Sequence, residues 1–187
     1  MTAGALREQV WNMLAQRRIA TYPTPPHGHH PNFVGAGRAA QQLLDQPVFT
    51  RALTVLVGPE QVLKPVREAV LRSGRMLLMP HPDRSSQILQ LQDLAPSAIV
   101  RVRDVVRYGQ IVDPAQIAID LVVVGCVAVD RRGGWLGKGY GFPQNRPVLT
   151  APWATLAHPA MVFEQLPVPP EQQVRLIATP LECLRIP

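Results

Sequence analysis

Cysteine, lysine and aromatic residues are all scarce in this chain of 187 residues. Its two cysteines, Cys126 and Cys183, stand alone without C-x-x-C spacing, which excludes a cysteine-built zinc site and a disulfide framework and points to a reducing compartment. Aromatics are 5% of the residues, too few to offer a stacking platform for bases. Long apolar runs are missing as well. Leu121 to Val129 is the longest strand-like one, against the roughly 20 residues a helix needs to cross a bilayer, so no membrane span is expected. Met1 to Met13 lacks the basic, apolar, small-residue order of a secretion signal, and a cytoplasmic location is the expectation.

What is present describes a globular protein. Hydrophobic residues are 47% and charged residues 17%, far from the composition of a disordered chain, and the length suits one α/β domain over residues 1–187. The net charge is +6, and of the 19 basic residues only Lys64 and Lys138 are lysines. A positive balance favours phosphate-bearing partners. The arginines are scattered, however, so nucleic acid is not the expected partner.

Leu6, Val10 and Leu14 recur at helical spacing and predict an amphipathic helix over about 4–17. Prolines and Gly28 make 22–31 a loop. Asn32 is read as opening a second short helix through Ala39, Ala40 and Leu43–Leu44, followed by a buried strand at 53–57. A helix over about 60–72 tolerates Pro65 in its first turn and stops at Gly74. Arg75 to Met79 reads as a strand, 86–94 as a weak helix, Ala98 to Val102 as a strand, and Ile119 to Val129 as the central strand, apolar on both faces. The alternation predicts a three-layer, Rossmann-like α/β sandwich with a mostly parallel sheet. Nine of the 20 prolines follow Phe142, so the last quarter is expected to be short strands and loops wrapped over that sheet.

The segment Gly133 to Phe142 carries the clearest chemical signal. Alternate glycines at 137, 139 and 141 leave backbone N–H groups unobstructed, and Lys138 adds a full charge among them. Such an arrangement cradles anions at the carboxyl end of a strand. It matches neither the Walker pattern nor G-x-G-x-x-G, and by spacing alone it reads equally as a hairpin turn with a solvated lysine.

Ile119 to Asp130, running into Leu136-Gly137-Lys138-Gly139-Tyr140-Gly141, resembles the 5-formyltetrahydrofolate cyclo-ligase family, also called methenyltetrahydrofolate synthetase. Arg7 with Val10-Trp11, Pro31 to Ala36, Lys64 to Arg67 and Thr179-Pro180 are similar, in order, to blocks of its divergent branch. The resemblance implies a Rossmann-like fold and ATP-dependent chemistry: magnesium-ATP phosphorylates a formyl oxygen and a neighbouring amine closes the ring. It implies ATP as cofactor, a folate-like or, in other branches, thiamin-related small molecule, and a binding role for Arg7, Gly137, Lys138, Gly139, Tyr140 and Gly141.

Departures from the family pattern point the other way. The family's N-terminal lysine is replaced around Ala3 and Gly4, and one carboxylate ligand for magnesium by Gln144, the other by Arg175, with Glu171 the nearest remaining acid. Magnesium binding is therefore not expected, and activity is expected to be weakened or lost. A non-catalytic member that binds a ligand or a protein partner is the alternative, and a weak RNA-associated protein, supported only by charge, the third.

Other candidates read blandly. His27, His29 and His30 form no ligand set within a proline-rich loop, and His158 is either a pocket residue or a turn residue before Pro159. Lys64 and Arg67 either face a phosphate or, as the favoured reading, sit solvated on a helix. Asp120 and Asp130 are strand-end and turn residues. No nucleophilic Ser/His/Asp or Cys/His set can be assembled, so catalytic residues stay unassigned.

Overall fold

The computed structural model describes residues 1–84, 86–99, 101–143 and 150–187. Helix α1 (Ala3–Gln16) opens with the Thr2 hydroxyl accepting from the Ala5 N–H, and buries Leu6, Val10, Trp11 and Leu14 on one face. The proline-rich stretch after it is closed by a short pairing of β1 (Ala20–Thr21) with β2 (Asn32–Phe33). Helix α2 (Ala36–Leu44) therefore starts four residues later than the sequence suggests. Asn32 is held opposite Thr21, and Gly35, in the left-handed region at φ +90°, makes the turn into the helix.

The short α3 (Pro47–Thr50) leads to β3 (Thr54–Val57), and α4 (Lys64–Arg72) crosses over to β4 (Met76–Pro80). As expected, Pro65 sits in the first turn of α4, and Gly74 at φ +69° ends it. The segment 86–94 is not a helix. Ile88–Leu91 forms β5, antiparallel to β4, because Ile88, Leu89 and Leu91 find buried partners across the sheet. Nor do the described residues of the expected strand at 98–102 form one: Pro96–Ile99 and Val102–Asp104 are 3-10 turns, the second fixed by Asp104 accepting from the Arg101 N–H. Helix α5 (Val105–Tyr108) and edge strand β6 (Gln110–Val112) complete this side.

The central strand divides in two. Leu121–Gly125 is β7, wholly buried, between two parallel neighbours. The chain then leaves that ladder at Gly125 and enters β8 (Ala128–Asp130) of a second sheet. The cause lies elsewhere in the sequence: the Trp135 indole donates to the Gly125 carbonyl (3.0 Å), and the Val127 N–H to Leu136 (2.8 Å). Strand β9 (Gly134–Leu136) pairs back on β8; then come β10 (Trp153–Leu156), β11 (Val162–Phe163), β12 (Gln172–Gln173), β13 (Leu176–Ala178) and β14 (Cys183–Arg185).

The main sheet has eight strands in the order β14-β13-β10-β7-β3-β4-β5-β6. Five adjacent strands, β13-β10-β7-β3-β4, run parallel, and β14, β5 and β6 are joined by antiparallel pairing, giving the mostly parallel α/β sheet that the alternation predicts. The last quarter, expected as a wrapping, instead supplies β10, β13 and β14 to this sheet, since Thr155, Leu176 and Ile177 are buried as centre-strand residues must be. Helices α2 and α4 pack side by side on it, α2 over β10 and β13, α4 over β3 and β4. The smaller sheet has the order β11-β8-β9-β12.

Leu56 of β3 has no exposed surface and packs within the buried apolar core cluster. Leu56→Ala should cost about 2–5 kcal/mol, the lost transfer energy plus the cavity left behind. Urea unfolding should show a lowered midpoint with an unchanged slope.

Candidate ligand site at the glycine loop

Parallel strands deliver their carboxyl ends to one edge of the sheet, and there Gly58 follows the end of β3 and Gly125 ends β7. Both glycines are required by space. A Cβ on Gly125 would lie 2.7 Å from His30 Cβ, and one on Gly58 would lie 2.0 Å from Glu60 Oε2. The room they leave is filled by a buried polar chain. His30 Nδ1 lies 2.7 Å from Glu60 Oε1, and His30 Nε2 accepts the Lys138 N–H at 3.1 Å. Since Nε2 is an acceptor, the ring proton sits on Nδ1 and donates to the Glu60 carboxylate.

Arg67 completes this chain. Its Nη1 donates to the Gly58 and Glu60 carbonyls, both at 2.8 Å, bracketing Pro59. Only 5% of its surface is exposed, so the solvated-surface reading is overturned: its position on α4 faces the sheet edge, where backbone carbonyls replace water. Burial brings its guanidinium down to about 10, which leaves it charged at neutral pH. Burial alone would raise the Glu60 carboxyl, but the neighbouring His30, its hydrogen bond and Lys138 outweigh burial and hold it below the ordinary range. With the folded pKa depressed, the Glu60 ion contributes stability that is present above the ordinary carboxylate range and lost as pH falls through the folded value.

The hairpin β8–β9 presents the loop that follows it. Asp130 shapes its turn, one carboxylate oxygen accepting from Arg132 and Gly134 and the other from Leu166, so it is a structural residue. Asp120 likewise closes a strand end, accepting from the Leu53 and Thr54 N–H groups. Beyond β9 the loop is held at four points. Arg7 Nε donates to the Gly137 carbonyl (2.7 Å), Glu171 accepts the Gly137 N–H (3.0 Å), His30 takes the Lys138 N–H, and the Tyr140 hydroxyl donates to the Gly28 carbonyl. Arg7 also ion-pairs with Glu171.

All six residues singled out by the sequence thus meet. The Arg7 guanidinium lies against Gly139, where a Cβ would come within 3.1 Å of Cζ, and Gly139 (φ +94°) and Gly141 (φ +72°) both occupy the left-handed region. Lys138 Nζ stands 4.6 Å over the Tyr140 ring. The cradle differs from the expected one in which groups are open. The N–H groups of Gly137 and Lys138 are consumed by Glu171 and His30. Those of Gly139, Tyr140 and Gly141 have no acceptor among the described residues.

The remaining candidates fall outside this site. His27 bonds Asn12, and the His29 carbonyl accepts from Trp11, so the three histidines do not converge. His158 caps the 3-10 turn Pro159–Met161 by accepting from Ala160, and burial pushes its imidazole down. Lys64 pairs with Glu68 along α4. Gln144 lies outside the described residues. Arg175 precedes β13, at the opposite end of that strand from Thr179, and lines a cleft with Gln46 and Arg185 that shares no residue with the glycine loop.

A phosphate suits the open N–H groups and the two cations. A magnesium ion does not suit the described donors: both oxygens of Glu171 are engaged by Arg7 and Gly137, and Glu60 faces His30 inside the fold.

Fold and loop together define an α/β protein with a basic glycine loop at the carboxyl edge of its sheet. The chain belongs to the 5-formyltetrahydrofolate cyclo-ligase family, whose model matches residues 2–179. It is 34% identical over 148 residues to the methenyltetrahydrofolate synthase domain-containing protein of Homo sapiens, covering 73% of this chain and 38% of that protein. The Danio rerio counterpart is 30% identical over 145 residues, with 73% and 38% covered. The chain thus spans about two fifths of these relatives' length. The NMR structure of Aquifex aeolicus 5,10-methenyltetrahydrofolate synthetase superposes with a TM-score of 0.67 at 20% identity, covering 100% of this chain and 93% of that one. The Mycoplasma pneumoniae synthetase gives 0.55 at 16%, with 95% and 98% covered.

Because Gly125 has no room for a side chain, Gly125→Ala should push the His30 ring from its place and cost about 1–3 kcal/mol, as overpacking does. Thermal denaturation measures the cost. An unchanged melting temperature would show that the edge can yield at no cost.

Proposed function

We propose that the glycine loop binds the phosphates of a nucleotide such as ATP, with a folate-like molecule as the second ligand, in a family member whose ring-closing activity is weak or lost. One observation carries this reading: Arg7 and Lys138, 131 positions apart in the chain, border the same loop, whose outer N–H groups at 139–141 are open among the described residues. Two cations and unengaged backbone donors are what a phosphate group requires. The folate-like partner is suggested by the names of the related proteins, as is ATP by the chemistry of the family.

Weak catalysis is supported by the same geometry. Phosphoryl transfer depends on positioning and on neutralising charge in the transition state. Here Glu171 is committed to Arg7 and Gly137, and Ala3 and Gly4 stand where a lysine would add charge. A binding domain without turnover is the second reading, and it differs from the first only in the rate.

Calorimetric titration should show ATP binding that changes little when magnesium is added. Lys138→Ala should weaken it by about 1.5–3 kcal/mol, the worth of a hydrogen bond to a charged group. Absence of ATP binding to the unaltered protein overturns the reading.

Mixed with ATP, magnesium and 5-formyltetrahydrofolate, the protein should produce methenyltetrahydrofolate absorbance at least about a hundredfold more slowly than a competent enzyme, since even one lost transition-state contact costs that much. An ordinary enzymatic rate would return the protein to the active members.

A further inference from the structure

The pair His30 and Glu60 matches none of the functions the resemblance assigns, yet it touches the one lysine of the glycine loop. We propose that His30 and Glu60 form a positioning pair that latches the glycine loop, and that a proton added at His30 Nε2 opens the latch. This rests on the reading of the loop as the ligand site. The loop reaches the pair through the Lys138 N–H, which needs a lone pair on Nε2; Nε2 is bare only while the single ring proton stays on Nδ1, facing Glu60. The carboxylate therefore selects the tautomer that the loop requires, as a second carboxylate does for a metal-bound or catalytic histidine.

Geometry leaves the ring no other place. Gly125 lies against His30 Cβ, and the Trp135 ring lies beside the imidazole, tilted, with centroids 5.9 Å apart. Glu60 is fixed in turn by Arg67 of α4, which grips the carbonyls on both sides of Pro59. The charged and titratable groups around the ring are Glu60, Lys138 of the loop, Arg67 of α4 and the adjacent His29; β7 and β9 present only Gly125 and Trp135. A doubly protonated ring would turn a donor toward the Lys138 N–H, two hydrogens would face each other, and the loop would lose its central anchor. Tyr140 and Arg7 would still hold its flanks.

Nitrogen NMR of the whole protein tests this without any ligand. At neutral pH the His30 ring should show a protonated Nδ1 and a bare Nε2. As acid protonates Nε2, the protection of the Lys138 amide against hydrogen exchange should fall at least tenfold, while the Val127 amide, bonded to Leu136 beside it, keeps its protection. Glu60→Gln should reproduce the selective loss at Lys138 and lower ATP affinity. A bare Nδ1, or protection lost equally at Lys138 and Val127, overturns the latch. The ring and exchange measurements decide it even where the unaltered protein does not bind ATP, a result that overturns only the ligand reading.

Discussion

A carboxylate withdrawn from water must be matched by its surroundings, and Glu60 sets that demand at the carboxyl edge of the sheet. The penalty for an uncompensated buried charge runs to several kcal/mol. His30 meets one of its two oxygens with a proton, Arg67 secures the backbone on either side, and Gly58 and Gly125 are small enough to let the three groups approach. Two parallel strands, one helix and two loops are thereby tied together by a few polar atoms. The glycine loop joins this arrangement through a single N–H, so its placement is inherited from the buried charge beneath it.

Arg7 plays the complementary part on the outer side. Its side chain leaves α1, donates to the Gly137 carbonyl and pairs with Glu171, uniting the first helix, the loop and the strand pairing of β9 with β12. The arrangement also has a chemical consequence. A carboxylate spent on an arginine and a backbone N–H is a poor ligand for a hard divalent cation, which prefers oxygen atoms free to converge.

The division of the central strand connects fold and site. Had Leu121 to Val129 stayed in one ladder, the chain would have carried β9 and the loop along the same sheet. The Trp135 indole takes the Gly125 carbonyl instead, and the hairpin turned by Asp130 brings the loop back over His30. The switch between sheets is what places glycines 137–141 next to the ends of β3 and β7.

Periodicity and composition by themselves pointed to strands and helices overlapping β3, β4, β7, α1 and α4, with Pro65 and Gly74 in their places, and to the glycine loop with Lys138, while Arg7 was tied to that loop by the family resemblance alone. These signals are local, or are carried by a motif whose order survives in the chain, so residues near in sequence suffice to read them. Only the tertiary structure decided the rest. β5 and the strands of the last quarter exist because of partners far along the chain, and a run of four residues has no period long enough to announce them. His30 looked like one of three loop histidines and Arg67 like a solvated helix residue. Each acquires its role from a group it meets across the sheet edge, where Glu60 is buried, and burial is a property of the folded whole that no stretch of sequence carries.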